Sequence, residues 1–159
     1  MSHIIKLVCF DVDGVLTDGR IHLDAQGNEL KIFHTQDGLG IKRLLQHGVA
    51  VAIISGRTSA QTTQRMRQLG VEYVYQGHDD KLTVYQELLT TLNLSDEQVA
   101  HVGDDLPDLP LMQRAGLGIA VANAVDVVKQ HADWVTQRAG GEGAAREVCE
   151  EILRRYYAN

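Results

Sequence analysis

Cysteine, proline and aromatic side chains are scarce in this chain. Its 159 residues include two cysteines, two prolines and one tryptophan, and aromatics make up 5%. Two cysteines give no disulfide framework. Cys9 lies in an apolar run and Cys149 in a helical pattern, so both read as reduced, buried thiols, which fits a cytoplasmic protein. No apolar run reaches the roughly 18 residues that cross a bilayer, so no membrane partner is expected. The start, Met1-Ser2-His3-Ile4-Ile5-Lys6, runs into a strand pattern without the features of a signal peptide. Positive charge is the minority. Lys and Arg number 15 against 21 Asp and Glu, a net charge of -6, and no basic stripe argues for nucleic acid. The 44% hydrophobic content and the length suit one domain, 1–159, with a real core.

What is present is an alternation of strand and helix patterns, which predicts an α/β fold with a doubly wound, mainly parallel sheet. Strands are expected at 5–10, 49–54, 71–75, 99–102, 118–121 and 134–135. Helices are expected at 39–46, from a Thr58/Gln61 capping box to Gly70, at 82–92, 108–114 and 126–130, and in a final stretch through Tyr157. Two alternating runs, 20–23 and 29–33, flank Asp24-Ala25-Gln26-Gly27-Asn28 and predict a β-hairpin within 19–34. There is no internal repeat and no interdomain linker.

The chemistry gathers at strand ends. The first strand ends in Asp11-Val12-Asp13-Gly14, and side-chain alternation predicts both carboxylates on one face. Two neighbouring carboxylates repel unless a cation sits between them. Ser55-Gly56-Arg57 follows the second buried strand, Lys81 opens a helix, and Gly103-Asp104-Asp105-Leu106-Pro107-Asp108 follows a later strand. In a parallel sheet these ends meet at one edge, where ligands bind. Carboxylates with a hydroxyl and an ammonium make a coherent phosphate site with Mg²⁺. Asp11 suits a nucleophile, because it is ionised at neutral pH and needs no base. Asp13 suits a proton donor to the leaving oxygen and then an acceptor from water. Ser55 and Lys81 suit the phosphate oxygens. Arg57 reads as a clamp for a substrate carboxylate rather than a surface cation at a helix start. A signalling receiver module also phosphorylates an aspartate, but its lysine follows the last catalytic strand, whereas Lys81 precedes Asp104. His22, His34, His47, His78 and His101 show no zinc-ligand spacing and read as hydrogen-bonded or surface groups.

With these four motifs in order, the chain resembles the haloacid dehalogenase superfamily of phosphatases. The resemblance implies Asp11 as nucleophile, Asp13 as general acid/base, and Mg²⁺ held by Asp11, Asp104 and the backbone carbonyl of Asp13. It leaves Asp105 with ligation through water or orientation of Lys81, and Asp108 with capping the following helix. Many members carry a cap domain over the site. Here 18–55 holds only the hairpin and one helix, so no cap fits.

A short capless chain with this hairpin, Asp37-Gly38, Ser55-Gly56-Arg57 and the tail Gly140-Gly141-Glu142-Gly143-Ala144-Ala145-Arg146-Glu147 is similar to the 3-deoxy-D-manno-octulosonate 8-phosphate phosphatases of bacterial lipopolysaccharide synthesis. That likeness implies a sugar-acid phosphate substrate and a homotetramer built through the hairpin. It also implies a glycine-rich tail, within 138–157, that folds over a neighbour's active site. It adds Asp37, Gly140 and Gly141 to the substrate-binding set of Ser55, Gly56, Arg57 and Lys81; Arg138 and Arg146 flank the tail and read equally as groups for a sugar carboxylate or as solvated charges. Gln36 stands where many members carry arginine, and Ala145 where many carry valine. Two alternatives stay open: another nonulosonate phosphate as substrate, or a non-catalytic module of the same fold.

Overall fold

Four apolar residues without a polar interruption, Leu7-Val8-Cys9-Phe10, must be covered on both faces, and all four are fully buried. The structure, a computed structural model, describes residues 3–158. In chain order its elements are β1 (Leu7–Phe10), β2 (His22–Leu23), β3 (Glu29–Leu30), α1 (Thr35–Gln46), β4 (Ala50–Ile54), α2 (Ala60–Leu69), β5 (Tyr73–Tyr75), α3 (Lys81–Leu92), β6 (Val99–Gly103), α4 (Leu109–Arg114), β7 (Leu117–Ala120), α5 (Asp126–His131), β8 (Trp134–Val135) and α6 (Ala144–Tyr156). Six strands form one parallel sheet in the order β5-β4-β1-β6-β7-β8. β2 and β3 form a separate antiparallel pair.

Alternation along β1 divides the core. Val8 and Phe10 pack with Ile41 and Leu44 of α1 and Val148 and Ile152 of α6. Leu7 and Cys9 pack with Val84, Tyr85 and Leu88 of α3. The sheet is therefore doubly wound, as expected. β1 pairs with β4 on one side and β6 on the other, so the strand order reverses there. A crevice opens at the C-terminal ends of these three strands. No cap domain stands over that edge among the described residues, and none of their helices is long and apolar enough to cross a membrane. Cys9 and Cys149 are buried and free.

Local details differ from the sequence reading. α1 starts at Thr35 rather than 39, because the His34 ring nitrogen accepts from the Gln36 amide at 3.1 Å and caps the helix. Gly38 and Gly40 lie inside α1 where α2 and α6 pack closely on it; a Cβ on Gly38 would lie 2.4 Å from Arg65 Nη2, and one on Gly40 3.1 Å from Arg146 Cδ and Cys149 Cβ. Ser59, not Thr58, caps α2, its Oγ accepting from the Thr62 amide at 3.2 Å. The hairpin ladder is shorter than expected, because the return run leaves it at Lys31, whose side chain turns inward and is only 4% exposed.

Candidate active site

The Asp11 amide donates to the Val102 carbonyl at 3.1 Å, which holds this residue on the β1 ladder. The chain then turns at once. The amides of Val15, Leu16 and Thr17 all donate to the Val12 carbonyl, at 3.1, 2.9 and 3.1 Å. Asp13 therefore sits in a turn, and strand alternation does not aim it. Both carboxylates line the crevice, but Asp13 is directed by the turn and by Lys31, whose Nζ lies 2.5 Å from Asp13 Oδ1. Gly14 has φ +89°, and a Cβ there would lie 1.9 Å from Asp104 Oδ2. Glycine is what lets the loops after β1 and β6 touch. The turn after β7 ties them together. Asn123 Nδ2 donates to the Gly14 carbonyl at 3.0 Å, and the Val125 amide donates to the Asp104 carbonyl at 2.9 Å.

Lys81 is the first residue of α3, and its side chain is 5% exposed. Its ammonium lies 3.3 Å from Asp11 Oδ1 and 3.2 Å from Asp108 Oδ1. Asp108 is fully buried. Its Oδ1 also receives His101 Nε2 at 2.9 Å, and its Oδ2 accepts from the amides of Asp104 and Asp105 at 3.0 and 3.3 Å. A carboxylate only accepts, so His101 Nε2 carries the hydrogen of this bond, while the buried Nδ1 has no hydrogen-bond partner among the described residues. Asp108, not Asp105, is thus the residue that orients Lys81. It caps the loop as well, so capping is only part of its work. Asp105 is exposed and spends its carboxylate on the Leu106 amide at 2.8 Å.

The electrostatics follow from this burial. For Asp108, desolvation would raise the pKa. The hydrogen bond and charge of His101 and the charge of Lys81 prevail and hold it well below the usual carboxylate range. Burial alone would lower Lys81, but Asp108 and Asp11 more than offset it and raise its pKa. Burial, then the charge of Asp108, pushes Asp11 up to about 6 despite Lys81. Burial, then the charges of Asp11 and Asp108, pushes Asp104 up to about 9. A cation between Asp11 and Asp104 would reverse both shifts.

Carboxylate oxygens of Asp11, Asp104 and Asp108 lie within 4.8 Å of one another. Both oxygens of Asp108 are already engaged, by Lys81, His101 and two amides, which leaves Asp11 and Asp104 as the side chains that would hold an ion. Two hard carboxylates with room for backbone oxygen and water fit Mg²⁺.

Around these groups is a cleft of about 350 Å³ lined by Asp11, Asp13, Ser55, Arg57, Lys81 and Asp104, with Gly56 and His78 at its wall. Ser55 follows β4, is buried, and its Oγ accepts from the Arg57 amide at 3.3 Å. Arg57 reaches the cleft, but its guanidinium is engaged. It holds Glu29 of the hairpin through two bonds of 3.0 and 2.8 Å. The expectation of a free carboxylate clamp is corrected to that extent: an internal glutamate occupies the fork.

A profile of the haloacid dehalogenase-like hydrolases matches residues 73–148. The 3-deoxy-D-manno-octulosonate 8-phosphate phosphatase of Yersinia pestis is 48% identical over 149 residues, covering 94% of this chain and 80% of the relative. The chain belongs to this phosphatase family. Solved structures agree. A probable YrbI family phosphatase of Pseudomonas syringae is 56% identical with a TM-score of 0.94, covering 95% of this chain and 86% of the other. The Moraxella catarrhalis 3-deoxy-D-manno-octulosonate 8-phosphate phosphatase, solved with magnesium, phosphate and KDO, is 46% identical with a TM-score of 0.92, covering 94% and 86%.

Five other candidates for substrate binding do not line the cleft of this phosphatase fold. Asp37 is buried, and its Oδ1 accepts from the Arg146 amide at 2.9 Å, capping the start of α6 from α1. Arg146 itself holds Glu150 at 2.7 Å and the Gln36 carbonyl at 3.3 Å. Arg138 lies against Gly143, and its amide donates to Glu147 at 2.9 Å. Gly140 and Gly141 are docked under the first acidic loop of their own chain. The Gly140 amide donates to Asn123 Oδ1 at 2.6 Å and the Gly141 amide to the Val15 carbonyl at 3.3 Å. The glycines are needed there, since a Cβ on Gly140 would lie 1.9 Å from the Gly14 carbonyl oxygen. The expected lid over a neighbour's site is thus corrected: this stretch supports the site from below.

Sequence reasoning missed Glu29, Lys31 and the full work of Asp108 and His101. A signal existed for the first two. In Glu29-Leu30-Lys31-Ile32 the charges share one face and the apolar residues the other.

Proposed function

We propose that this chain hydrolyses 3-deoxy-D-manno-octulosonate 8-phosphate to the free sugar acid and phosphate, the step that releases the sugar acid for lipopolysaccharide synthesis. The observation that carries the reading is the meeting of Asp11, Asp13, Ser55, Lys81 and Asp104 in one open cleft of a chain 48% identical to such a phosphatase. Mg²⁺ is the cofactor; Asp11, Asp104 and the carbonyl of Asp13 would hold it, and bound there it would offset the repulsion between carboxylate and phosphate. An Asp11 oxygen attacks phosphorus, and the bond from phosphorus to the sugar oxygen breaks. Asp13 gives its proton to that oxygen, which leaves as an alcohol. Water then attacks phosphorus, Asp13 takes a proton from it, and phosphate departs as Asp11 is restored. Ser55 and Lys81 hold the phosphoryl oxygens, and Asp108 keeps Lys81 aimed.

The assembly is a homo-oligomer, a tetramer formed through the hairpin. Support comes from its inverted pattern: Ile21, Leu23, Leu30 and Ile32 are 58, 64, 61 and 59% exposed. Ile21 also borders the cleft, so a subunit packed on the hairpin would wall an otherwise open site. Cytoplasmic placement rests on the two free, buried thiols.

The test is a phosphate-release screen over sugar-acid phosphates, with and without Mg²⁺ and with Asp11→Asn as control. The expected result is Mg²⁺-dependent release that is strongest on the 8-phosphate and absent in Asp11→Asn. Turnover by Asp11→Asn near that of the parent would remove Asp11 as nucleophile. A stronger response to a nonulosonate 9-phosphate would reassign the substrate.

A further inference from the structure

Asp13 stands in a turn, so the sheet does not orient its carboxylate, and the second torsion of an aspartate is intrinsically broad. A group that must meet the leaving oxygen needs another restraint. The hairpin supplies one. Lys31 lies between exposed Leu30 and Ile32, yet its own side chain is 4% exposed. Its Nζ contacts Asp13 Oδ1 at 2.5 Å and Glu29 Oε1 at 3.2 Å. Glu29 in turn engages Arg57, whose Nη1 lies 3.6 Å from the same Asp13 Oδ1. The nearest approach of both cations is thus to the same oxygen of Asp13, Oδ1, and among the described residues no hydrogen bond reaches Oδ2. Glu29 bonds both cations, so Asp13 is held by a linked network rather than by one mobile side chain.

We infer that Lys31 is a positioning residue for Asp13, fixing the carboxylate through Oδ1 so that Oδ2 is the oxygen that exchanges the proton with the leaving group. The inference rests on the reading of Asp13 as general acid. It makes the hairpin part of the catalytic site of its own chain, besides any part in assembly.

A leaving group that departs as a stable anion needs little help from an acid, whereas a sugar alkoxide needs a great deal. The test compares kcat/KM for p-nitrophenyl phosphate with that for the best sugar-acid phosphate of the screen. This ratio reports only steps up to departure of the leaving group, so the water step does not enter. Lys31→Met should lose about 10- to 30-fold on the sugar ester and under about threefold on the aryl ester. Lys31→Arg should recover most of the loss. Asp13→Asn should show the same split, but larger. If Asp13→Asn splits the two substrates and Lys31→Met lowers both equally or neither, the inference on Lys31 fails. If Asp13→Asn itself shows no split, the acid role of Asp13 fails. Should Lys31→Met not fold, Lys31→Gln gives the same comparison with a neutral donor.

Discussion

Replacing Asp108 by asparagine separates two accounts of this residue. If Asp108 only caps the loop and the following helix, the change is nearly neutral, since asparagine caps as well as aspartate. Its amide oxygen can still accept from the Asp104 and Asp105 amides, now at 3.0 and 3.3 Å from Oδ2. The other side of the group decides the matter. There Oδ1 meets the Lys81 ammonium at 3.2 Å and His101 Nε2 at 2.9 Å. An amide NH₂ in that place opposes one donor with another and removes the negative charge. Breaking a buried ion pair from one side costs about 3–5 kcal/mol. Lys81 keeps Asp11 at 3.3 Å, so the low end applies, about 3 kcal/mol. For a chain of this size that is a fall in melting temperature of roughly 6–12 °C. Lys81 also loses one of its two anchors, and phosphate turnover measured well below the melt should fall about 10- to 100-fold. Circular dichroism melts and initial-rate assays read the two effects. A variant melting within about 2 °C of the parent with unchanged turnover would refute the charge network and leave capping alone.

Three further outcomes are expected. In excess chelator, phosphate release stops, and the pH dependence of stability reveals the repelling pair. Asp11 and Asp104, raised to about 6 and about 9, bind protons more tightly folded than unfolded, so the metal-free protein gains stability as pH falls from about 9 towards 5. Added Mg²⁺ should raise the melting temperature most at the alkaline end; a metal-free melt that falls steadily with acidification over that window would contradict the assignment. The double substitution Leu30→Asp with Ile32→Asp should reduce the molar mass measured by light scattering to that of one chain, and an unchanged mass would remove the hairpin from the interface. Gly140→Ala places a Cβ 1.9 Å from the Gly14 carbonyl oxygen and should cost about 2–3 kcal/mol in a urea titration. Parent-like unfolding would show that the stretch is not docked.

Much of this molecule is local and therefore legible in its sequence. The apolar run of β1 had to be central, and period-two alternation divided its side chains between two helical layers. Turn chemistry placed the hairpin loop, where Asp24 Oδ1 accepts from the Gln26 and Asn28 amides at 2.9 and 2.8 Å. The acids fell at strand ends, and a parallel sheet has only one edge at which such ends can meet. Composition, periodicity and the order of the motifs thus determined the fold and the set Asp11, Ser55, Lys81 and Asp104.

The rest waited for tertiary structure, because a side chain's partner across a long loop is chosen by packing and leaves no trace in local pattern. Gly140 read as part of a tail over a neighbour's site, yet Asn123 and Gly14 hold it against its own chain. Asp37 and Arg146 suggested substrate groups, but α1 and α6 pack together, and the start of α6 engages Asp37 Oδ1. Asp108 read as a cap until His101 and Lys81 closed on its other oxygen. The hairpin read as a surface for other subunits, and its outer face remains apolar. Its inner face, with Glu29 and Lys31, turns back on Asp13 and Arg57. Alternation alone could say that two charges share a face; only the folded chain decides that buried charges there must find partners, and that Asp13 is one of them.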